Sequence, residues 1–132
     1  MQVFAALTPS RARGTFVDYA IDIAFGMVFV ETSLFSRLLG DYLRDDEYRL
    51  LQNHLIEYPD AGDVIRGAGG VRKVRWASGG KGKSGGVRVI YYWAKADEQT
   101  FFLTLYGKGE KENLSAMDLK RVVKLLEELT NE

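Results

Sequence analysis

Eight basic side chains crowd the stretch from Val64 to Ala96: Arg66, Arg72, Lys73, Arg75, Lys81, Lys83, Arg88 and Lys95. No Asp or Glu interrupts them. The whole chain carries 18 Lys and Arg against 18 Asp and Glu, so its formal net charge is zero. The acidic residues therefore gather elsewhere, in runs such as DYLRDDE and EKENLSAMD. A neutral protein with charge segregated in this way sets up a local positive field, and the chemistry that suits it is the binding of a polyanion. The competing description is a solvated surface on which Lys and Arg side chains reach apart into water.

Within this stretch, A-S-G-G-K-G-K-S at 77–84 fits a phosphate-cradling loop once Ala is accepted in the first position. Such a loop works because it opens a helix, whose N-terminus offers free N–H groups and partial positive charge. The residues that follow, GGVRVIYYW, are β-branched and aromatic with no helical stripe. They predict a strand, so the loop closes a hairpin and the nucleotide pattern loses its physical basis. Lys81 and Lys83 suit a nucleic-acid backbone better.

Composition removes other chemistries. The chain has no Cys, which excludes a disulfide framework, a thiolate metal site and a Cys nucleophile. Its one His, His54, excludes a His-cluster zinc site and a catalytic His pair. No metal or cofactor is expected, and the lack of Cys fits a reducing, cytoplasmic setting. The longest apolar or Gly run near the N-terminus, Ile23 to Val30, is far short of a membrane span.

These side chains must be positioned by a small set of elements, and 132 residues suggest one domain. Residues 1–26 are irregular and read as an N-terminal extension of uncertain order, with an ordered strand or helix from Phe16 to Phe25 as the rival. Residues 27–132 form the patterned domain. Met27 to Glu31 reads as a strand. Thr32 or Ser33 can cap a helix through Leu39, stopped near Gly40. Asp45 or Asp46 can cap a second helix ending at Pro59, with a buried stripe of Tyr48, Leu51, Leu55 and Tyr58. His54 lies off that stripe. Asp60 to Gly70 reads as a polar connection. VRKVRWA, GVRVIYYWA and TFFLTLYG are strands separated by turn residues. Ser115 and Asp118 start a last helix, whose stripe is Leu119, Val122, Val123, Leu126 and Leu129. The order β-α-α-β-β-β-α predicts a small α+β domain, an antiparallel-rich sheet packed against the N-terminal helices with a C-terminal helix.

Alternation along the strands then sorts the basic residues. If Val87, Val89, Tyr91 and Trp93 face the core beside Val74 and Trp76, then Lys73, Arg75, Arg88 and Tyr92 stand together outside. Like charges set so close repel, and an anionic ligand would relieve them. Tyr106, Lys108 and Lys111 gather where the third strand meets the last helix, with Glu110 and Glu112 among them.

The combination GGVRKVRWA, GGVRVIYYW and LTLYGKGEKENLS, with FSRLL and YPDAGDVIRGAGG upstream, resembles the RelE superfamily of toxin–antitoxin toxins, the HigB-like subgroup most closely. The resemblance runs from Met27 to about Leu129. It implies a ribosome-dependent mRNA endonuclease that inhibits translation and is neutralised by a cognate antitoxin, a helix-turn-helix protein in the subgroup. By position, Lys73 and Arg75 match the family's paired basic residues, Arg88 its Arg after the turn, and Lys108 and Lys111 its last basic cluster. The family's Tyr beyond that cluster has Ser115 in its place, and an Arg of the cluster has Gly109. A stacking or proton-transfer role would then fall to Tyr92 or Tyr106.

In that family the RNA's own 2′-OH attacks the adjacent phosphate, so neither a protein nucleophile nor a metal is required. The step needs a base, cations for the phosphorane charge and an acid for the leaving oxygen. A lysine flanked by cations is a natural base, because like charge disfavours its protonated form. Lys73, between Arg75 and Arg88, is the candidate, with Arg88 as charge stabiliser. Two other functions fit the sequence: a ParE-like toxin of the same fold that poisons gyrase, and a non-catalytic RNA-binding module. If the loop touches RNA, replacing Lys81 and Lys83 by Ala should weaken binding to ribosomes or RNA in a filter-binding assay. Measurable ATP binding by the unsubstituted chain would instead restore the nucleotide-loop description.

Overall fold

Met27–Thr32, a run of Met, Val and Phe that ends on Glu31 and Thr32, is the third of seven strands in one sheet among the described residues. The computed structural model describes residues 11–13, 19–24, 26–78, 86–110 and 113–130, the first two segments by their backbone alone. In chain order the elements are β1 (Arg11–Arg13), β2 (Tyr19–Ala24), β3 (Met27–Thr32), α1 (Ser33–Tyr42), α2 (Asp45–Glu57), β4 (Asp63–Val64), β5 (Arg72–Trp76), β6 (Val87–Ala94), β7 (Gln99–Gly107) and α3 (Ala116–Thr130). The sheet order is β1-β2-β3-β7-β6-β5-β4. β3 and β7 are parallel, and every other neighbouring pair is antiparallel. The α+β class and the C-terminal helix are as the sequence predicts. The N-terminal segment contributes β2, paired along its whole length with β3. β4 forms inside the stretch that reads as a plain connection.

Local chemistry sets the helix ends. Thr32 Oγ1 accepts from the Phe35 N–H at 3.0 Å and donates to the Leu103 carbonyl at 2.8 Å, so one hydroxyl starts α1 and ties it to β7. The helix does not stop at Gly40 but runs to Tyr42. A helical Gly costs only about 1 kcal/mol, and the burial of Leu39 and Leu43 on either side of it outweighs that. α2 is capped one residue earlier than Asp45, by Arg44, whose N–H donates to Glu47 Oε1 at 2.8 Å. Asp45, Asp46 and Glu47 occupy its first turn, where the helix dipole favours negative charge. Tyr48, Leu51 and Leu55 are buried, but Tyr58 is 51% exposed. The helix ends at Glu57, and Tyr58 has a non-helical φ of −130°, so the helical period no longer aims its side chain.

Two cores lie on opposite faces of the sheet. Phe35 and Leu39 of α1 and Tyr48, Leu51 and Leu55 of α2 pack on Phe29, Val74, Val87, Val89, Tyr91 and Phe102. Phe29, Phe102 and Phe35 stack in a column, with centroid separations of 5.5 and 4.8 Å. On the other face, Val122 and Leu126 of α3 pack on Val71, Ile90, Phe101, Leu103 and Tyr106. Fully burying each such side chain contributes roughly 1.5–3 kcal/mol. The Tyr91 hydroxyl accepts from the Gly62 N–H at 2.9 Å and donates to the Pro59 carbonyl at 2.8 Å, which holds the loop after α2 on the sheet. Among the described residues no helix is long and apolar enough to cross a membrane.

The phosphate-loop pattern joins β5 to β6, which pair antiparallel from Arg72↔Tyr91 to Trp76↔Val87. It therefore links two strands, not a strand and a helix. At its base the backbones close on Gly86: a Cβ there would lie 2.0 Å from the Trp76 carbonyl oxygen. Because the obstacle is backbone, Gly86→Ala should cost about 2 kcal/mol or more, measured as a lower denaturation midpoint with an unchanged slope.

Candidate nucleic-acid interface

The β5–β6–β7 ladder sets Arg75 opposite Arg88, and Arg88 opposite Tyr106. Lys73, two residues before Arg75, stands opposite Ile90 and then Thr104. Residues directly opposite in antiparallel strands share a face. Arg75, Arg88 and Tyr106 therefore form one row across three strands, with Lys73 two residues along on the same face, the face that α3 covers. Their depths differ sharply. Arg75 is exposed and Lys73 is half-buried, but Arg88 is 2% and Tyr106 4% exposed.

The open cationic face expected from alternation is thus corrected at Arg88. That expectation assumed one buried face and one wet face. β6 lies inside the sheet with helices on both sides, and all five of its residues from Val87 to Tyr91 are buried. Tyr92 is likewise not open. It is half-buried, packs against the α3-side core, and its ring lies 6.4 Å from Phe101. The solvent-facing part of the row is its β5 end, where the sheet nears its edge.

The turn after β7 approaches the same region. The Lys108 N–H donates to the Gly86 carbonyl at 3.2 Å, next to the start of β6, and Lys108 is exposed. Lys73 Nζ donates to Asn113 Oδ1 at 2.7 Å. Asn113 lies between this turn and α3 and draws the lysine toward the same end of the molecule. Arg72 faces the other way, as an inward-facing edge residue, and its Nη1 donates to the carbonyls of Gly62 at 2.8 Å and Asp60 at 3.2 Å. Lys81, Lys83 and Lys111 lie outside the described residues.

Other residues join the site that residue type alone does not mark. Asp63 of β4 stands opposite Lys73. Together with His54, Ala61, Val74 and Arg75 these two line a recess of about 210 Å³. The His54 ring sits between Trp76 and Tyr58, at 5.2 and 5.3 Å. Glu110, expected among the lysines, accepts from the Gly107 N–H at 2.8 Å and from the Tyr42 hydroxyl. Asn113 and Tyr42 were not visible as site residues. The polar run GKGEKEN between strand and helix was the available signal for Asn113, whereas Tyr42 comes from a distant helix and left none.

A family model described as the RelE toxin of the RelE / RelB toxin-antitoxin system matches residues 60–131. That span is more than half of the chain and holds β4 to β7 and α3, with the whole basic row. The chain belongs to the RelE toxin family. It is the toxin of a toxin–antitoxin pair, and RelE toxins pair with an antitoxin. The cations gathered at this end of the sheet of the RelE-family chain are suited to neutralising phosphate charge.

The Glu110 contact makes one residue of this region titrate unusually. Acceptance by the Glu110 carboxylate, then burial, push the Tyr42 hydroxyl up to about 12 from its ordinary 10.0. A raised pKa means that the folded state keeps a proton the unfolded state releases. The associated stability is present below pH 10.0 and is lost as pH rises through about 12. Unfolding free energies measured across this window should fall for the native chain, and Tyr42→Phe should remove that part of the slope.

Proposed function

We propose that this chain is a ribosome-dependent mRNA endoribonuclease of the HigB-like kind, acting in the cytoplasm and restrained by a helix-turn-helix antitoxin. The observation that carries this reading is the exposed Arg75, directly opposite the buried Arg88, with Lys73 on the same face and the whole row inside the family match. In the reaction the RNA 2′-OH gives up its proton and attacks the neighbouring phosphorus. The P–O5′ bond breaks, leaving a 2′,3′-cyclic phosphate, and the departing O5′ takes a proton.

Lys73 takes the part of general base. Asn113, which holds its Nζ, fixes the direction from which it reaches the hydroxyl. Arg75 contacts the phosphorane oxygens, because a guanidinium can grip phosphate at two points and this one is exposed. Arg88 passes from direct contact to support: at 2% exposure it adds positive field from beneath. Lys108, in the turn beside β6, supplies further positive charge near the leaving oxygen. Lys81, Lys83 and Lys111 contribute to holding the RNA chain, whereas Tyr92 and Tyr106, packed into the α3-side core, support the sheet beneath it.

Arg75 gives the cleaner test, since Arg88→Ala would also remove a buried side chain from the fold. Arg75→Ala should keep the native circular dichroism spectrum and melting temperature. It should lower cleavage of ribosome-bound mRNA by on the order of a hundredfold, read as discrete primer-extension stops. Undiminished cleavage would remove Arg75 from the site. If the unsubstituted chain produces no stops but induces DNA damage, the nuclease reading fails and gyrase becomes the target.

A further inference from the structure

We propose that Tyr42 is a positioning residue for this site: together with Glu110 it pins the turn after β7, and so Lys108, to the C-terminal end of α1. The inference rests on the nuclease reading for its functional meaning and on the hydrogen bonds for its structural content.

The turn runs from Gly107 to Glu110 and closes on itself. The Glu110 N–H donates to the Gly107 carbonyl at 3.1 Å, and the Gly107 N–H donates to Glu110 Oε1 at 2.8 Å. Lys108 is its first central residue. The turn otherwise faces solvent: Lys108, Gly109 and Glu110 are all exposed. Exposed turns with no anchor sample several geometries, and a cation on one would meet the phosphate only part of the time. The backbone bond from Lys108 to Gly86 holds one side of the turn, and the Tyr42 hydroxyl, which donates to the same Glu110 Oε1, adds an anchor from α1. The Tyr42 ring backs the turn as well: a Cβ added to Gly107 would meet both Tyr42 Cε1 and Glu110 Oε1 at 3.4 Å.

Tyr42 also reaches the other loop at this end. Its carbonyl accepts from Ser78 Oγ, just after β5. The Lys108 N–H bonds to the carbonyl of Gly86, just before β6. One residue at the end of α1 is therefore joined to the segment that leaves β5 and to the turn that leaves β7, while those two strands flank Arg88 from either side. Packing alone would be met by Phe at position 42. The hydroxyl is needed only for Glu110.

The experiment combines steady-state cleavage of ribosome-bound mRNA with amide hydrogen exchange on the free toxin. Tyr42→Phe and Glu110→Ala should each lower kcat by on the order of tenfold with little change in KM. Glu110→Gln should retain most of the rate, because its side-chain carbonyl can accept the same two bonds. The Gly107 amide should exchange faster in Tyr42→Phe. In a Lys108→Ala background, Tyr42→Phe should cost nothing further, since the group it positions is gone. A merely structural role would give additive losses in that background. Additive losses, a Tyr42→Phe rate equal to the native one, or unchanged exchange at Gly107 would each overturn the inference while leaving the nuclease reading intact. Absence of cleavage by the unsubstituted chain would overturn the nuclease reading and this inference with it.

Discussion

The pairing of β6 with β5 on one edge and β7 on the other is the constraint on which the rest of the structure depends. A one-residue slip would send each side chain of β6 to the opposite face. That slip is resisted because both faces are committed: Val87, Val89 and Tyr91 pack under α1 and α2, while Ile90 packs under α3. Where the partner strand needs room, the ladder yields by a bulge at Ile90/Tyr91 that keeps the cores in phase. The register sets Arg88 opposite Arg75 as a consequence. The packing of β6's neighbours on both faces, not attraction between the two arginines, holds that register.

Around this ladder the basic groups of the candidate site arrive from elements far apart in the chain. β5 brings Lys73 and Arg75, β6 brings Arg88, and the turn after β7 brings Lys108. Polar side chains bond to them or to their turn: Asn113 accepts from Lys73, and Glu110 accepts from Tyr42 and from the Gly107 N–H. The chemistry of RNA self-cleavage asks for little else from a protein. On the proposed reading the nucleophile belongs to the RNA, and position, charge and proton transfer are what these side chains would supply. A sheet carrying the exposed Arg75 and Lys108 at one end is suited to that proposed part.

Much of the fold was legible from residue order. Thr32 as a cap, the stripe of Tyr48, Leu51 and Leu55, the strands from Arg72 to Gly107 and the Ser115 start of the last helix follow from local rules of capping and periodicity. Asp118 N–H does donate to Ser115 Oγ, at 3.0 Å. The misplaced boundaries also had local causes that packing overrode. Gly40 stayed helical because Leu39 and Leu43 are buried, and Tyr58 left its stripe because the helix had already ended.

By itself the sequence determined the inventory and much of its order: a basic stretch without carboxylates, no thiol chemistry, strands flanking the Gly-Lys loop, and Lys73, Arg75 and Arg88 on one face. Those properties depend on residue type and on spacing within a strand, which are local. Only the tertiary structure decided depth. Alternation says which residues share a face but not whether a helix lies over it, and α3 comes from the end of the chain to cover this one. Arg88 is therefore buried while Arg75, directly opposite it, reaches solvent at the sheet's β5 end. The same holds for Tyr42 and Glu110, 68 positions apart, whose contact exists only because α1 and the turn after β7 are packed against the same sheet.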